Sequence, residues 1–314
     1  MVLLDIVIFI LAMAVLLFSS KKVIDACIKI SEYSGISHLA IGFIVIAIAV
    51  SLPDFMVSFI ATLNNKPALA IGDALGSSIA NICLVLGIVT MIRHVSVERK
   101  HTLESAELLL LISLVPAIIL SRGIVGAFEG TILLIIFVLY AFFTIKERFD
   151  LHIKDGVTKK EWHHSAGILF AGLLLVIASS HFVVLTASNI ARFLGIPEAV
   201  IGLTLVSFGT TLPELVIDFT AIRFGHYALA IGDILGSTVV NLTLILGMTL
   251  TLSPTMVDLS VYTIPLAFVI IANSYLFYSL VKHEGIGYRQ GVIFILMYVS
   301  FIFAMILTKG LYAA

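Results

Sequence analysis

Long apolar runs alternate with short polar intervals along almost the whole chain. Each run reaches about the 20 residues that an α-helix needs to cross a bilayer. Only a few polar residues interrupt the runs, and most charged residues lie between them. The pattern predicts ten membrane-spanning helices, at 3–19, 36–63, 67–92, 103–121, 125–146, 165–186, 196–222, 227–252, 258–281 and 287–309.

The longest polar interval, from Lys146 to His164, divides the chain into five predicted spans and five more. We therefore predict a first five-helix repeat at 1–146, a linker at 147–164 and a second five-helix repeat at 165–314.

The two halves carry the same polar motif at a constant offset of 160 residues. Ser-Leu-Pro-Asp, ending at Asp54, is followed by Gly-Asp-Ala-Leu-Gly-Ser-x-x-x-Asn at 72–81. Thr-Leu-Pro-Glu, ending at Glu214, is followed by Gly-Asp-Ile-Leu-Gly-Ser-x-x-x-Asn at 232–241. Because five is odd, homologous halves of five helices cross the membrane in opposite senses. This predicts an all-α membrane protein of two inverted repeats, with broken helices and a site at the midplane.

Composition and charge agree with a multi-pass membrane protein. Hydrophobic residues make up 61% of the chain and charged residues 12%, whereas soluble domains carry about 25% charge. The net charge of −1 suggests no nucleic-acid partner, and two cysteines form no disulfide or metal-binding pattern. The first apolar run lacks a small-residue cleavage site, so it is expected to remain as a helix.

Lys and Arg are distributed unevenly between the two sets of loops. The set that includes the linker holds 14 of them, and the opposite set holds 4. Because basic loops stay on the cytoplasmic side, we predict an amino terminus outside the cell membrane and a cytoplasmic linker.

Five carboxylates lie inside the predicted spans. A charged side chain at the bilayer centre costs about 3 kcal/mol on insertion scales, and no Lys or Arg lies near these residues in the sequence. They must be protonated, exposed to water or neutralised by a cation, and each option indicates cation handling. The five are Asp54, Asp73, Glu214, Asp218 and Asp233. Asp218 has Ser58 as its repeat counterpart, so the symmetry does not support a role in the ion site, and a position at the cavity entrance is the remaining expectation.

Pro53 and Pro213 lie within predicted spans, where proline removes a helical N–H and clashes with the preceding turn. We expect the helices to break there and the carbonyls at 47–50 and 207–210 to lose their donors. Such carbonyls persist at membrane depth only where a cavity, water or an ion satisfies them. Carbonyl, carboxylate and hydroxyl oxygens suit calcium, which takes about six to eight oxygen ligands.

Three polar side chains with helical spacing follow each Leu-Pro-acid motif. Positions i, i+4 and i+8 share one face of a helix. These residues are Asp73, Ser77 and Asn81 in the first half, and Asp233, Ser237 and Asn241 in the second. Asp73 and Asp233 each follow a glycine, and their pattern fits either a helix N-cap or an ion ligand.

The paired motifs resemble the two alpha repeats of the calcium/cation antiporter superfamily, most closely its sodium/calcium exchanger branch. The five-plus-five plan matches too, so the resemblance covers nearly the whole chain. It implies a secondary active antiporter, not an enzyme, that exchanges calcium for sodium by alternating access at a shared carboxylate site. The implied partners are the transported ions and the lipid bilayer, with no cofactor. The resemblance gives no oligomeric state.

The resemblance also implies a ligand set. The acidic ligands fall on Asp54 and Glu214. The hydroxyl ligands fall on Ser51, Ser77, Thr210, Thr211 and Ser237, the carbonyl ligands near Ala47 and Ser207, and the mid-helix amide or acid on Asn81 and Asn241.

Three departures from the family pattern leave alternatives open. Ala49-Val50 replaces Gly-Thr, Asp54 is shorter than the usual Glu, and Asp73 and Asp233 replace Asn. A missing hydroxyl and added acids fit a proton/calcium exchanger of the same fold. An intramembrane aspartyl protease is a remote alternative, since Gly-Asp pairs occur, but it leaves the repeat unexplained. A passive cation channel is the third alternative.

Overall fold

The computed structural model describes most of the chain, and almost all of what it describes is helical. The described residues are 2–34, 51–93, 95–96, 99–147, 159–223, 225, 227–282 and 285–312. The helices are α1 (Val2–Ser34), α2 (Leu52–Leu63), α3 (Pro67–Ile79), α4 (Leu86–Ile92), α5 (Arg99–Leu120), α6 (Ala127–Glu147), α7 (Lys159–Leu194), α8 (Glu198–Ile201), α9 (Ser207–Thr210), α10 (Leu212–Arg223), α11 (Tyr227–Val239), α12 (Leu246–Leu252), α13 (Leu259–Lys282) and α14 (Tyr288–Tyr312).

Three π-helical segments join neighbouring α-helices into longer rods. They are Ala80–Val85 between α3 and α4, Gly202–Val206 between α8 and α9, and Val240–Ile245 between α11 and α12. The first and third are related by the 160-residue offset, so the repeat extends to this local geometry.

The helical lengths confirm the predicted all-α membrane fold. Eight helical stretches in the described part are long and apolar enough to cross a membrane, and Leu52–Leu63 and Ala127–Phe143 are shorter apolar helices. The count of ten stays a prediction, because residues 35–50 of the second predicted span lie outside the described residues. The proposed half boundaries also stay a prediction.

Two helices extend well beyond their predicted spans. α1 continues to Ser34 instead of ending near residue 19, and α7 covers 159–194 instead of 165–186. The two pack along each other. Apolar length alone therefore underestimated both, because a helix can continue past the bilayer when a neighbouring helix packs against it.

Two short antiparallel strand pairs connect the halves at opposite ends of the helical bundle. β1 (Val95–Ser96) pairs with β4 (Gly285–Ile286), and β2 (Ile124–Val125) pairs with β3 (Thr255–Met256). α5 runs from β1 to β2, so the two pairs lie at its two ends. Each pair takes one strand from each half, as inverted repeats require.

The centre of the bundle contains α3, which crosses α8 and the π-segment that follows it. A Cβ on Gly72 would clash with the Ala199 carbonyl, and one on Gly202 would clash with the Leu69 carbonyl. The two backbones therefore touch, as small residues allow between membrane helices. This crossing holds the polar face of α3 against the second half.

Candidate ion-binding site

Twelve of the thirteen residues predicted as ligands lie in the described part of the chain, and all twelve are buried. The most exposed is Asp233, at 8%. Ala47 lies outside the described residues. No described Lys or Arg is buried, so no basic side chain neutralises these acids within the described interior.

Asp54 lies in the first turn of α2, which begins directly after Ser51 and has Pro53 at its start. Ser77 Oγ on α3 donates a hydrogen bond to Asp54 Oδ1 at 3.2 Å. Asp54 Oδ2 has no donor. The Asn241 amide adjoins the same carboxyl, although its own polar atoms make no hydrogen bond. Asp54 therefore lies between polar groups of both halves.

Glu214 occupies the matching place in the first turn of α10. Its side chain is buried and neither carboxyl oxygen has a donor. It lies close enough to Asp54 for the two charges to interact. The acids of the two Leu-Pro-acid motifs, one from each half, are thus neighbours in the interior.

The Ser207 carbonyl differs from the prediction that it would lose its helical donors. It accepts the Thr211 N–H at 3.0 Å and the Thr211 hydroxyl at 2.7 Å. The Thr210 hydroxyl lies 3.2 Å away. The helix does end at Thr210 and restart at Leu212, but the N–H that Pro213 lacks would have bonded the Gly209 carbonyl, four residues earlier, so the Ser207 carbonyl keeps its helical donor.

The N-cap interpretation of Asp73 and Asp233 is wrong. α3 begins at Pro67 and α11 at Tyr227, so both aspartates lie inside a helix, beyond the first turn. An N-cap must precede the first helical residue. Both side chains instead lie buried in the polar interior.

Asp73 is hydrogen bonded by hydroxyls from both halves. Ser58 Oγ donates to Asp73 Oδ2 at 2.9 Å, and Thr210 Oγ1 lies 3.3 Å from Asp73 Oδ1. Thr210 shares its single proton between this carboxyl and the Val206 and Ser207 carbonyls.

Several other predicted ligands have no hydrogen-bond partner. The hydroxyls of Ser51 and Ser237 and both amide atoms of Asn81 and Asn241 are buried and unpartnered. Each asparagine is the second residue of a π-segment. Such segments are frequent at functional sites, and the helical spacing used to predict this face could not show them. The site is therefore rich in oxygens that have no other bond.

Asp218 was counted among the acids that indicate cation handling, but the sequence prediction did not include it among the ligands. Its side chain is fully buried, both oxygens lack donors, and its charge is close enough to interact with that of Asp233. Its position one turn after Glu214 was the available signal, because i and i+4 share a helix face.

The arrangement favours a hard cation held by mixed oxygen ligands. Among the described residues, no three His, Cys, Asp or Glu side chains form a cluster that could hold a metal ion. A cation here would combine one or two carboxylates with hydroxyl and amide oxygens, which are ligands that calcium accepts.

Comparison with known proteins assigns this geometry to a family. A profile described as "Sodium/calcium exchanger protein" matches residues 4–146 and 164–307. The chain belongs to the sodium/calcium exchanger protein family. This confirms the resemblance seen in the motifs and places the chain among transporters, not enzymes.

Relatives of this exchanger family cover almost the full length. Inner membrane protein YrbG of Escherichia coli is 31% identical over 81% of this chain and 82% of its own. Sodium/calcium exchanger MaX1 of Methanosarcina acetivorans is 26% identical over 96% and 98%. A solved structure of the sodium-calcium exchanger NCX_Mj is 29% identical, with a TM-score of 0.69, and covers 97% of this chain and 99% of that one.

Proposed function

We propose that this exchanger-family protein is a secondary active antiporter that exchanges calcium for sodium by alternating access. The observation that carries the proposal is the neighbouring pair Asp54 and Glu214, one from each inverted half, buried without a basic partner. Uncompensated buried charge is strongly destabilising, so the pair must be neutralised, and in this proposal a bound cation neutralises it. Two carboxylates neutralise about two positive charges, so the site cannot hold calcium and a full load of sodium ions together. The ions therefore compete for the site, and this competition couples the calcium flux to the sodium flux.

The proposed ligands extend the carboxylate pair with uncharged oxygens. The unpartnered atoms of Ser51, Ser237, Asn81 and Asn241 support this part of the set. The Ser207 carbonyl must release its threonine donors before it can bind an ion. The remaining proposed ligands are Ala47, Asp73, Ser77, Thr210, Thr211 and Asp233. Calcium and sodium are substrates in this scheme, and no cofactor takes part.

The burial of the site supports alternating access. A carrier of this kind must close around its ion before it opens to the other side, and both carboxylates are at most 1% exposed. The Lys and Arg bias supports an amino terminus outside the cell membrane and a linker in the cytoplasm.

The other candidate functions receive no comparable support. Family membership favours neither proton/calcium exchange nor intramembrane proteolysis, and a passive channel would not need competing ions at one site. Proton coupling differs from the proposal only in the counter-ion, so the first experiment separates these two.

Calcium-45 uptake into proteoliposomes is expected to follow an outward sodium gradient. Sodium leaving through the competing site supplies the free energy that moves calcium inward. The measurement compares vesicles loaded with NaCl and with choline chloride, and adds a set with an acidic interior. Protein-free vesicles and vesicles with equal sodium on both sides are the controls. Uptake driven only by the proton gradient, or uptake that needs no gradient, would contradict the proposal.

A further inference from the structure

The aspartate that follows the repeated glycine has different hydrogen-bond partners in the two halves. In the first half, Asp73 accepts hydrogen bonds from the hydroxyls of Ser58 and Thr210. At the 160-residue offset, the counterparts of these two donors are Asp218 and Val50. By this sequence relation, Asp233, the counterpart of Asp73, is expected to lack both hydroxyl donors.

Asp233 consequently has an acid where Asp73 has a donor. Asp218 on α10 and Asp233 on α11 lie on helices that pack against each other, their charges are close enough to interact, and none of their four oxygens has a donor. The two side chains are 0% and 8% exposed. Two neighbouring buried carboxylates repel strongly unless a proton or a cation lies between them.

Glu214 points to the same requirement independently. Its carboxyl is 1% exposed and both its oxygens lack donors. Its charge interacts with both Asp218 and Asp233. The three buried acids of the second half, Glu214, Asp218 and Asp233, thus have no hydrogen-bond donor. The two buried acids of the first half, Asp54 and Asp73, each accept a hydrogen bond from a hydroxyl.

We infer that Asp218 and Asp233 form an additional binding site for one monovalent cation, sodium, beside the shared carboxylate site. Calcium requires about six to eight oxygens. The pair supplies four. A singly charged ion fits this smaller ligand set better. The inference rests on the proposed function only in assigning this sodium to the transport cycle.

The additional site would raise the number of sodium ions exchanged for each calcium ion. Sodium bound between Asp218 and Asp233 lies next to Glu214, so it competes electrostatically with calcium there. Asp218 is then a residue that determines the coupling ratio without being one of the ligands predicted from the family.

Asp218→Ser is the sharpest test, because it recreates the Ser58–Asp73 pair of the first half. The purified full chain in detergent is melted over a NaCl series, with choline chloride keeping the ionic strength constant. We expect wild-type protein to be stabilised by sodium through mass action. The variant should need about tenfold more sodium for the same stabilisation, since a charged ligand is lost. In proteoliposomes, the reversal potential should show one sodium ion fewer per calcium ion.

Asp218→Asn is the second variant, because the asparagine amide can also donate a hydrogen bond to Asp233. If the serine variant does not fold, the asparagine variant provides the test. Asp25→Asn removes an exposed carboxylate of α1 and is the matched control. An unchanged sodium response in the Asp218 variants would overturn the inference. Wild-type stabilisation by acid instead of sodium, lost in the variants, would also overturn it by showing a shared proton. The melting series needs no calcium transport, so it stands even if the proposed exchange fails.

Discussion

Glu214→Gln and Asp54→Asn are each expected to abolish sodium-driven calcium uptake. Each change keeps the size of the side chain and removes one of two negative charges that lie close together in the interior. With a cation bound, each carboxylate forms a buried pair of opposite charges with it, and removing one partner of such a pair costs about 3–5 kcal/mol, which corresponds to a loss of about a hundredfold or more in ion affinity. Initial rates of calcium-45 uptake under a fixed sodium gradient measure the loss.

The matched controls make the same chemical change away from the site. Asp25→Asn on α1 and Glu107→Gln on α5 replace carboxylates on exposed side chains, and both should transport like the wild type. Gel filtration and melting of all four variants separate a lost ligand from a lost fold. Calcium uptake that remains near the wild-type rate in either Asp54→Asn or Glu214→Gln would remove that acid from the proposed site.

The sequence identified the central carboxylates because their signal is local and repeated. An acid within an apolar run is expensive in a membrane, and the constant 160-residue offset shows which residues are counterparts. In the structure these carboxylates are buried inside the protein, as the cost of exposing a charge to lipid requires. The proximity of Asp54 and Glu214 also followed from inverted halves, because motifs at the same depth meet across the interface.

Contacts between helices were not predictable in the same way. Asp218 was not predicted as a ligand because its counterpart is Ser58, yet that difference is what brings two acids together in the second half. The periodicity of one helix shows which residues share a face, but not which residues of the next helix face them. The π-segments at Asn81 and Asn241 left no mark in the spacing either.

Helix starts and ends were also poorly specified by the pattern. Asp73 and Asp233 were compatible with capping because a glycine precedes each, but α3 begins six residues earlier, at Pro67. Proline at the first helical position fits the start of a helix well, and it outweighed the aspartate as a start signal.

The strand pairs β1–β4 and β2–β3 were not predicted, because two-residue strands produce no recognisable alternation.

The crossing of α3 with the second half depends on glycine as much as on the polar groups. Gly76 repeats the arrangement of Gly72 one turn further along α3. A Cβ there would lie 2.5 Å from both the Leu203 carbonyl oxygen and Ser207 Oγ. Asp73 lies between these two glycines, so the distance between the helices determines how closely its carboxyl approaches the Thr210 hydroxyl.

Gly72→Ala is expected to destabilise the protein and to stop transport. The added methyl group meets the backbone at Ala199 and Leu203, which cannot rotate away as a side chain can, so the helices must separate. Overpacking of this kind costs about 1–3 kcal/mol, occasionally more. Gly167→Ala on α7 is the matched control: its Cβ would meet nothing within 4 Å, and alanine favours a helix by up to about 1 kcal/mol. Thermal melting should therefore move in opposite directions for the two variants. A Gly72→Ala protein that melts and transports like the wild type would show that α3 and the second half do not touch at this point.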